Sequence, residues 1–279
     1  MKTRIKTNLV EVLVVAVVIV IGVLASYGYL TNEYYAKKLI EAIEEDDLIK
    51  LRQLLSDEKG NVNSSSKSEL YSLYTENQSI NPLEAACIKG NYDAIKLLLE
   101  GGANPNKIHG IGSHYSPLMI AIGNAESDNR LEIVKLLVES GADLSHFSNG
   151  RSAITIASEG IESDSIILIE YLESEGQDIY EVYSYGTILH YACRSGNSNV
   201  IKYLVSERGF DVNLRNSEGR TPLMVYVDTS FTSNKNMGDV ILLLEKGADK
   251  SIIDNEGRTA FDLIKNMPGL EEYAKLLKP

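Results

Sequence analysis

Cysteine is nearly missing from this sequence, with two in 279 residues. That is too few for a disulfide framework in any compartment. Tryptophan is absent and phenylalanine occurs four times, so sixteen tyrosines supply most of the aromatic surface. Histidine is scarce as well. His109 and His114 flank the glycine-rich stretch "IHGIGSH", but two imidazoles with no neighbouring cysteine or acid do not close a zinc site. No H-E-x-x-H, G-x-S-x-G or P-loop pattern occurs, and "GIGSHYS" lacks the third glycine of a dinucleotide loop. No catalytic residue, metal or cofactor is therefore expected. Basic residues are also short, 27 against 39 acids, for a net charge of −12. Beyond Leu30 the balance is 24 to 38, or −14. Such a body is repelled by nucleic acid and anionic lipid, and it favours a partner with a basic surface.

One long apolar run is present. Between Leu9 and Leu30 the only charge is Glu11, and Val12–Ala25 reads "VLVVAVVIVIGVLA" without interruption. Twenty-two helical residues rise roughly 33 Å, enough for a hydrocarbon core of about 30 Å. Residues 1–8 carry Lys2, Arg4 and Lys6, and tyrosines follow the run at 27, 29, 34 and 35. The positive-inside rule then predicts a single-pass anchor over residues 9–30 in the inner membrane. The amino terminus would be cytoplasmic and residues 33–279 periplasmic. A cleaved signal ending at Val23–Ala25 would also export the body, leaving it soluble in the periplasm.

The rest of the chain repeats itself. "NPLEAACIKGNYDAIKLLLEGGANPN" starts at Asn81, and related stretches start at Ser116, Ser152, Thr187 and Thr221. Aligned on their second residues, Pro82, Pro117, Ala153, Ile188 and Pro222, they step by 35, 36, 35 and 34. A truncated copy begins "GRTAFDLI" at Gly257, and a charged first copy occupies Leu39–Asn63. Proline just inside a helix start has its missing N–H forgiven. Gly141 in "IVKLLVESGAD" can take the left-handed conformation that ends a helix. Two short helices cannot bury their apolar faces alone, so the copies must stack. The stretch from Asn63 to Ile80 reads as a polar, mobile loop. The acid run Glu44–Asp47 reads as a solvated turn.

This series resembles the ankyrin repeats, whose signature is T-P-L-H-x-A at a period near 33. The resemblance covers residues 35–279, in copies at about 35–66, 79–113, 114–148, 149–183, 184–216, 217–254 and 255–279. It departs from the signature at Glu84, Met119, Thr155 and Met224, which replace the histidine kept only as His190. It implies an all-α solenoid of helix-turn-helix copies with β-hairpin loops, monomeric, non-enzymatic and protein-binding. It implies that His190 is structural, bonding toward the adjacent copy. Cys87 and Cys193 then fall in one inward-packing slot, three copies and roughly 25–30 Å apart, too far for a disulfide.

The same resemblance selects contact positions on fingertips and first helices. These are Ile88, Lys89, Lys107, His109, Phe147, Asn149, Tyr180, Tyr183, Tyr185, Tyr191, Arg194 and Arg215. "IYEVYSYGTILHY" concentrates four tyrosines there, as either a binding patch or wedges between fingers. Within the binding reading, an immunity-type inhibitor and an envelope scaffold are both open. Two other readings remain: a thiol or redox enzyme built on Cys193 and His190, which share a helix face, and a scaffold facing the cytosol.

Overall fold

The computed structural model describes residues 28, 31–57, 60–67, 79–108, 114–124, 129–160, 163–228 and 236–278. The chain divides into two compact units, residues 1–114 and Tyr115–Pro279. Among the described residues no helix is long and apolar enough to cross a membrane. Apart from Gly28, the expected anchor at 9–30 lies outside the described residues, as does His109.

In the first unit, helix α1 covers residues 31–44. It is followed by α2 (Leu48–Ser56), strands β1 (Ser66–Lys67) and β2 (Ser79–Ile80), α3 (Pro82–Lys89) and α4 (Tyr92–Glu100). The acid run is a working turn rather than a merely solvated one. Asp46 is left-handed at φ 54°, and the Asp47 carboxylate accepts from Lys50 N to cap α2. The stretch read as a loop from Asn63 to Ile80 is a hairpin at its base, where Ser66 pairs with Ile80 and Lys67 with Ser79, antiparallel. Polarity hid this pairing, because two-residue strands have no alternation to show.

Lys89 closes this unit. Its ammonium donates to the carbonyls of Ile43 (2.9 Å) and Glu44 (2.6 Å) at the end of α1, and it pairs with Asp46 at 2.7 Å. A cation there satisfies carbonyls left without intrahelical donors and complements the helix dipole. Lys89→Met keeps the stem and removes the charge. It should destabilise the first unit by about 1–2 kcal/mol, seen as faster amide exchange in residues 31–44 with α4 unchanged. Equal exchange in both proteins would show the clamp to be idle.

Among the described residues, the second unit is a row of five helix pairs. They are α5 (Pro117–Gly123) with α6 (Arg130–Glu139), α7 (Ala153–Glu159) with α8 (Ser165–Ser174), and α9 (Ile188–Ser195) with α10 (Ser198–Ser206). Then come α11 (Pro222–Val227) with α12 (Met237–Glu245), and α13 (Ala260–Ile264) with α14 (Glu271–Leu277). First helices pack successively, α5 on α7, α9, α11 and α13, while α8, α10 and α12 form the second layer. Their starts follow from local chemistry. Ser116 and Thr221 cap α5 and α11 through Met119 N and Met224 N, each with proline at the first turn. Gly141 sits at φ 88° beyond α6, as the sequence predicts.

The varied signature position keeps one job in several copies across both units. The N–H of the capping residue donates to the third helical side chain, giving Asn81 to Glu84 (2.9 Å), Ser152 to Thr155 (2.8 Å), Thr187 to His190 (3.1 Å) and Thr259 to Asp262 (3.0 Å). Carboxylate, hydroxyl and imidazole are interchangeable for that bond. Among these four, the imidazole is the one that sends a donor into the following hairpin; the carboxylates only accept, and the Thr155 hydroxyl donates back to Ser152 O.

Candidate functional site

His190 is fully buried, and the tautomer follows from its partners. Nδ1 accepts from Thr187 N, so the proton sits on Nε2, which donates to Leu214 O (3.1 Å) and Arg220 O (3.2 Å) of the next hairpin. Burial pushes its pKa down to about 4, partly offset by those two carbonyls. With both nitrogens so engaged and no exposed surface, it is a brace. Cys193 and Cys87 are likewise buried and free of disulfides, and burial pushes the Cys87 thiol well up. The aligned positions in the intervening copies, Ile122 and Ser158, are buried as well, and a buried cysteine packs as a small hydrophobe. Among the described residues no group of three histidines, cysteines or acids could hold a metal.

The hairpins of the second unit carry the surface chemistry. Finger 2 turns at Asn149 (φ 53°) and Gly150 (φ 78°), with Ser148 and Arg151 exchanging both backbone hydrogen bonds. Asn-Gly suits such a two-residue turn because both positions need positive φ; that dipeptide is the signal that could have located it. Finger 3 closes the same way between Tyr183 and Gly186.

An aromatic chain joins these two fingers. Phe147 stacks on Tyr183 (centroids 5.9 Å, 9° apart), and Tyr183 meets Tyr191 edge-on at 6.3 Å. Tyr191 meets Tyr185 at 5.6 Å, and the Arg194 guanidinium lies 4.9 Å from the Tyr185 ring centre. The two alternatives for the tyrosines therefore divide along the chain. Tyr191 is 1% exposed and its hydroxyl donates to Gly150 O, making it the floor. Phe147 is 46% exposed and is the rim. Burial, with help from Glu181, raises the Tyr183 phenol to about 12, so it remains a neutral donor at physiological pH.

Tyr180 belongs to a different contact. It stacks on Phe210 at 4.8 Å and donates to Arg208 O. Sequence reasoning passed over Phe210, and also Val182, which is 58% exposed beside Phe147. Between fingers 2 and 3 lies an open cavity of about 360 Å³, bordered by Phe147, Val182, Tyr183, Gln177 and Glu181. Asn149 is exposed on finger 2 and Arg215 on finger 4, the hairpin closed between Asn216 and Arg220; finger 5 closes between Asp254 and Arg258. Arg215 donates to Gly219 O and Asn255 Oδ1, which ties it to its own and the following finger. Ile88, Lys89 and Lys107 belong to the first unit; Ile88 packs against Ile40, Ile80 and Ala85, and Lys107 is exposed.

Fingers 3, 4 and 5 are laced by hydrogen bonds. Ser217 Oγ donates to Ser184 O, Asn216 Nδ2 to Tyr185 O, and Asn255 to Glu218 O and Ser217 O. Among the described residues the arrangement is a surface of hairpin tips joined by hydrogen bonds, with an aromatic-walled opening between fingers 2 and 3.

The known proteins agree with this architecture. The family model described as Ankyrin repeats (3 copies) matches residues 39–148, 83–183, 125–216, 155–254 and 189–278. The chain is 27% identical over 193 residues to the ankyrin repeat protein YahD of Escherichia coli (strain K12), spanning 69% of this chain and 92% of that protein. It is 28% identical over 191 residues to alpha-latrocrustotoxin-Lt1a of Latrodectus tredecimguttatus, covering 65% of this chain but 13% of the toxin. Among solved structures, the human ASB11 ankyrin repeat domain superposes with a TM-score of 0.66 at 25% identity, over 86% of this chain and 97% of that one. The stacked helix pairs, the finger hairpins and the family match over residues 39–278 lead to one conclusion: this chain belongs to the ankyrin-repeat family.

Proposed function

We propose that the protein holds a protein partner with a basic surface against the fingers of its second unit. Protein–protein interaction is what ankyrin repeats imply in general. The observation that carries the finer reading is the exposed rim of Phe147 and Val182 over a packed tyrosine floor, set on a body of strong negative charge. Rigid aromatic anchors lose little side-chain entropy on binding, and the acidic field draws basic partners. We place this module outside the cytoplasmic membrane, tethered by Leu9–Leu30. The charge pattern of residues 1–30 supports that topology.

Affinity capture with the full chain from native envelope extract tests the binding. Phe147→Ala with Val182→Ala should reduce recovery of the partner at least tenfold, while the fold, read by circular dichroism, is unchanged. Undiminished recovery would remove this surface from the reading. Crosslinking from Tyr183 separates an inhibitor, which gives one secreted partner, from a scaffold, which gives several resident ones. A reporter active only in the periplasm, fused after Pro279, tests the topology.

A further inference from the structure

The chain builds one arginine receptor for itself. Arg208 lies over the Tyr203 ring at 5.8 Å, donates to the Tyr203 hydroxyl at 2.9 Å and forks onto Glu173, with one arm at 2.8 Å. An aromatic face and a carboxylate together suit the planar guanidinium, which can stack and fork at once. The cavity between fingers 2 and 3 presents the same two elements. Phe147 and Tyr183 are stacked 9° from parallel, and Glu181 lines the cavity with them.

Nothing in the lining supplies a positive charge. None of the lining residues is lysine, arginine or histidine, and Gln177 and Ser184 add further acceptors. Arg151 of finger 2 is paired with Glu159 at 2.7 Å. The opening of about 360 Å³ is of the size that takes a small ligand or a single side chain. An acidic side chain would meet Glu181 and the negative field of the body. A purely aliphatic one would leave the carboxylate and the Gln177 amide to be desolvated without compensation.

We infer that the cavity between fingers 2 and 3 is the socket for an arginine of the partner, its guanidinium against Phe147 and Tyr183 and forked onto Glu181, its stem along Val182. This names the residue that the protein-binding reading requires the partner to offer, and it rests on that reading. The socket also differs from the laced spacing of fingers 3 to 5, where Ser217, Asn216 and Asn255 occupy the space between tips.

The test titrates the full chain with acetyl-Gly-Arg-Gly-amide and with the same tripeptide carrying citrulline, lysine or leucine. Tyrosine fluorescence is usable because tryptophan is absent. The arginine peptide should bind with a Kd on the order of millimolar, at least fivefold tighter than the uncharged citrulline peptide. Glu181→Gln should erase that preference, and Phe147→Ala should weaken arginine binding at least fivefold. Tyr183→Phe should retain it, since the ring remains. Arginine binding no tighter than citrulline, or unmoved by Glu181→Gln, overturns the socket. If capture of the natural partner is lost in the Phe147 and Val182 double variant but unchanged in Glu181→Gln, the binding surface stands and the socket falls. If arginine binds as described while no partner is recovered, the socket stands and the wider reading falls.

Discussion

Gly186→Ala should cost about 2–5 kcal/mol. Two penalties add there. Gly186 sits at φ 113°, a conformation that costs a residue with a side chain about 1–2 kcal/mol. A Cβ would also lie 2.6 Å from His190 Cγ and 2.7 Å from Nδ1, inside contact distance, and overpacking of that kind costs about 1–3 kcal/mol. Gly176→Ala is the control. It has φ 97° with nothing within 4 Å of the added carbon, so it carries only the first penalty. Denaturant unfolding of both variants separates the terms, and amide exchange should report the loss in α9 and finger 3. A double variant with His190→Ala should be less destabilised than the two single changes added together. Equal effects of Gly186→Ala and Gly176→Ala would show that the imidazole moves aside freely.

Mild acid should destabilise the second unit through the same imidazole. The His190 pKa is about 4 in the folded protein against an ordinary value of 6.5. The unfolded chain therefore binds a proton that the folded one refuses. The stability from this group is complete above about pH 6.5 and is lost as pH falls toward 4. The difference in pKa corresponds to about 3 kcal/mol. Protonating Nδ1 would set its new N–H against the Thr187 N–H it now accepts from. His190→Gln cannot take up that proton, so its stability should change less between pH 7 and pH 4, even if it is lower throughout. Asp249, held low by Ser251, and Asp262, held low by Thr259, act in a separate window below about pH 4. Parallel pH profiles for wild type and His190→Gln between pH 7 and 4 would refute the assignment.

Much of the fold is legible from one-dimensional signals. Pro82, Pro117 and Pro222 open helices where the alignment places them, and Gly141 turns left-handed where a helix must stop. These are local rules that need no tertiary partner. The onward bond of His190 was implied by the ankyrin resemblance, and its geometry agrees. The parts that could not be read depend on distances between hairpins. Lys89 looks in sequence like an exposed groove residue, but the end of α1 lies within reach of its ammonium. Tyr180, Tyr183, Tyr185 and Tyr191 look equivalent in "IYEVYSYGTILHY". Their split, with Tyr191 as the floor, Tyr183 stacked on the exposed Phe147 and Tyr180 stacked on Phe210, is set by the spacing of adjacent copies. Glu181 and Val182 matter only because an opening lies beside them, and no pattern along the chain encodes an opening.

The lacing of fingers 3 to 5 has an evolutionary corollary. Its side-chain donors, Ser217 and Asn216 on finger 4 and Asn255 on finger 5, end on main-chain oxygens of the preceding finger: Ser184 O, Tyr185 O and Ser217 O. Every residue type offers that same oxygen. The amino acid at 184 can therefore drift under selection for a new target while the scaffold that displays it keeps its seam. Mechanical integrity and the capacity to change allegiance are assigned to different atoms of the same residue.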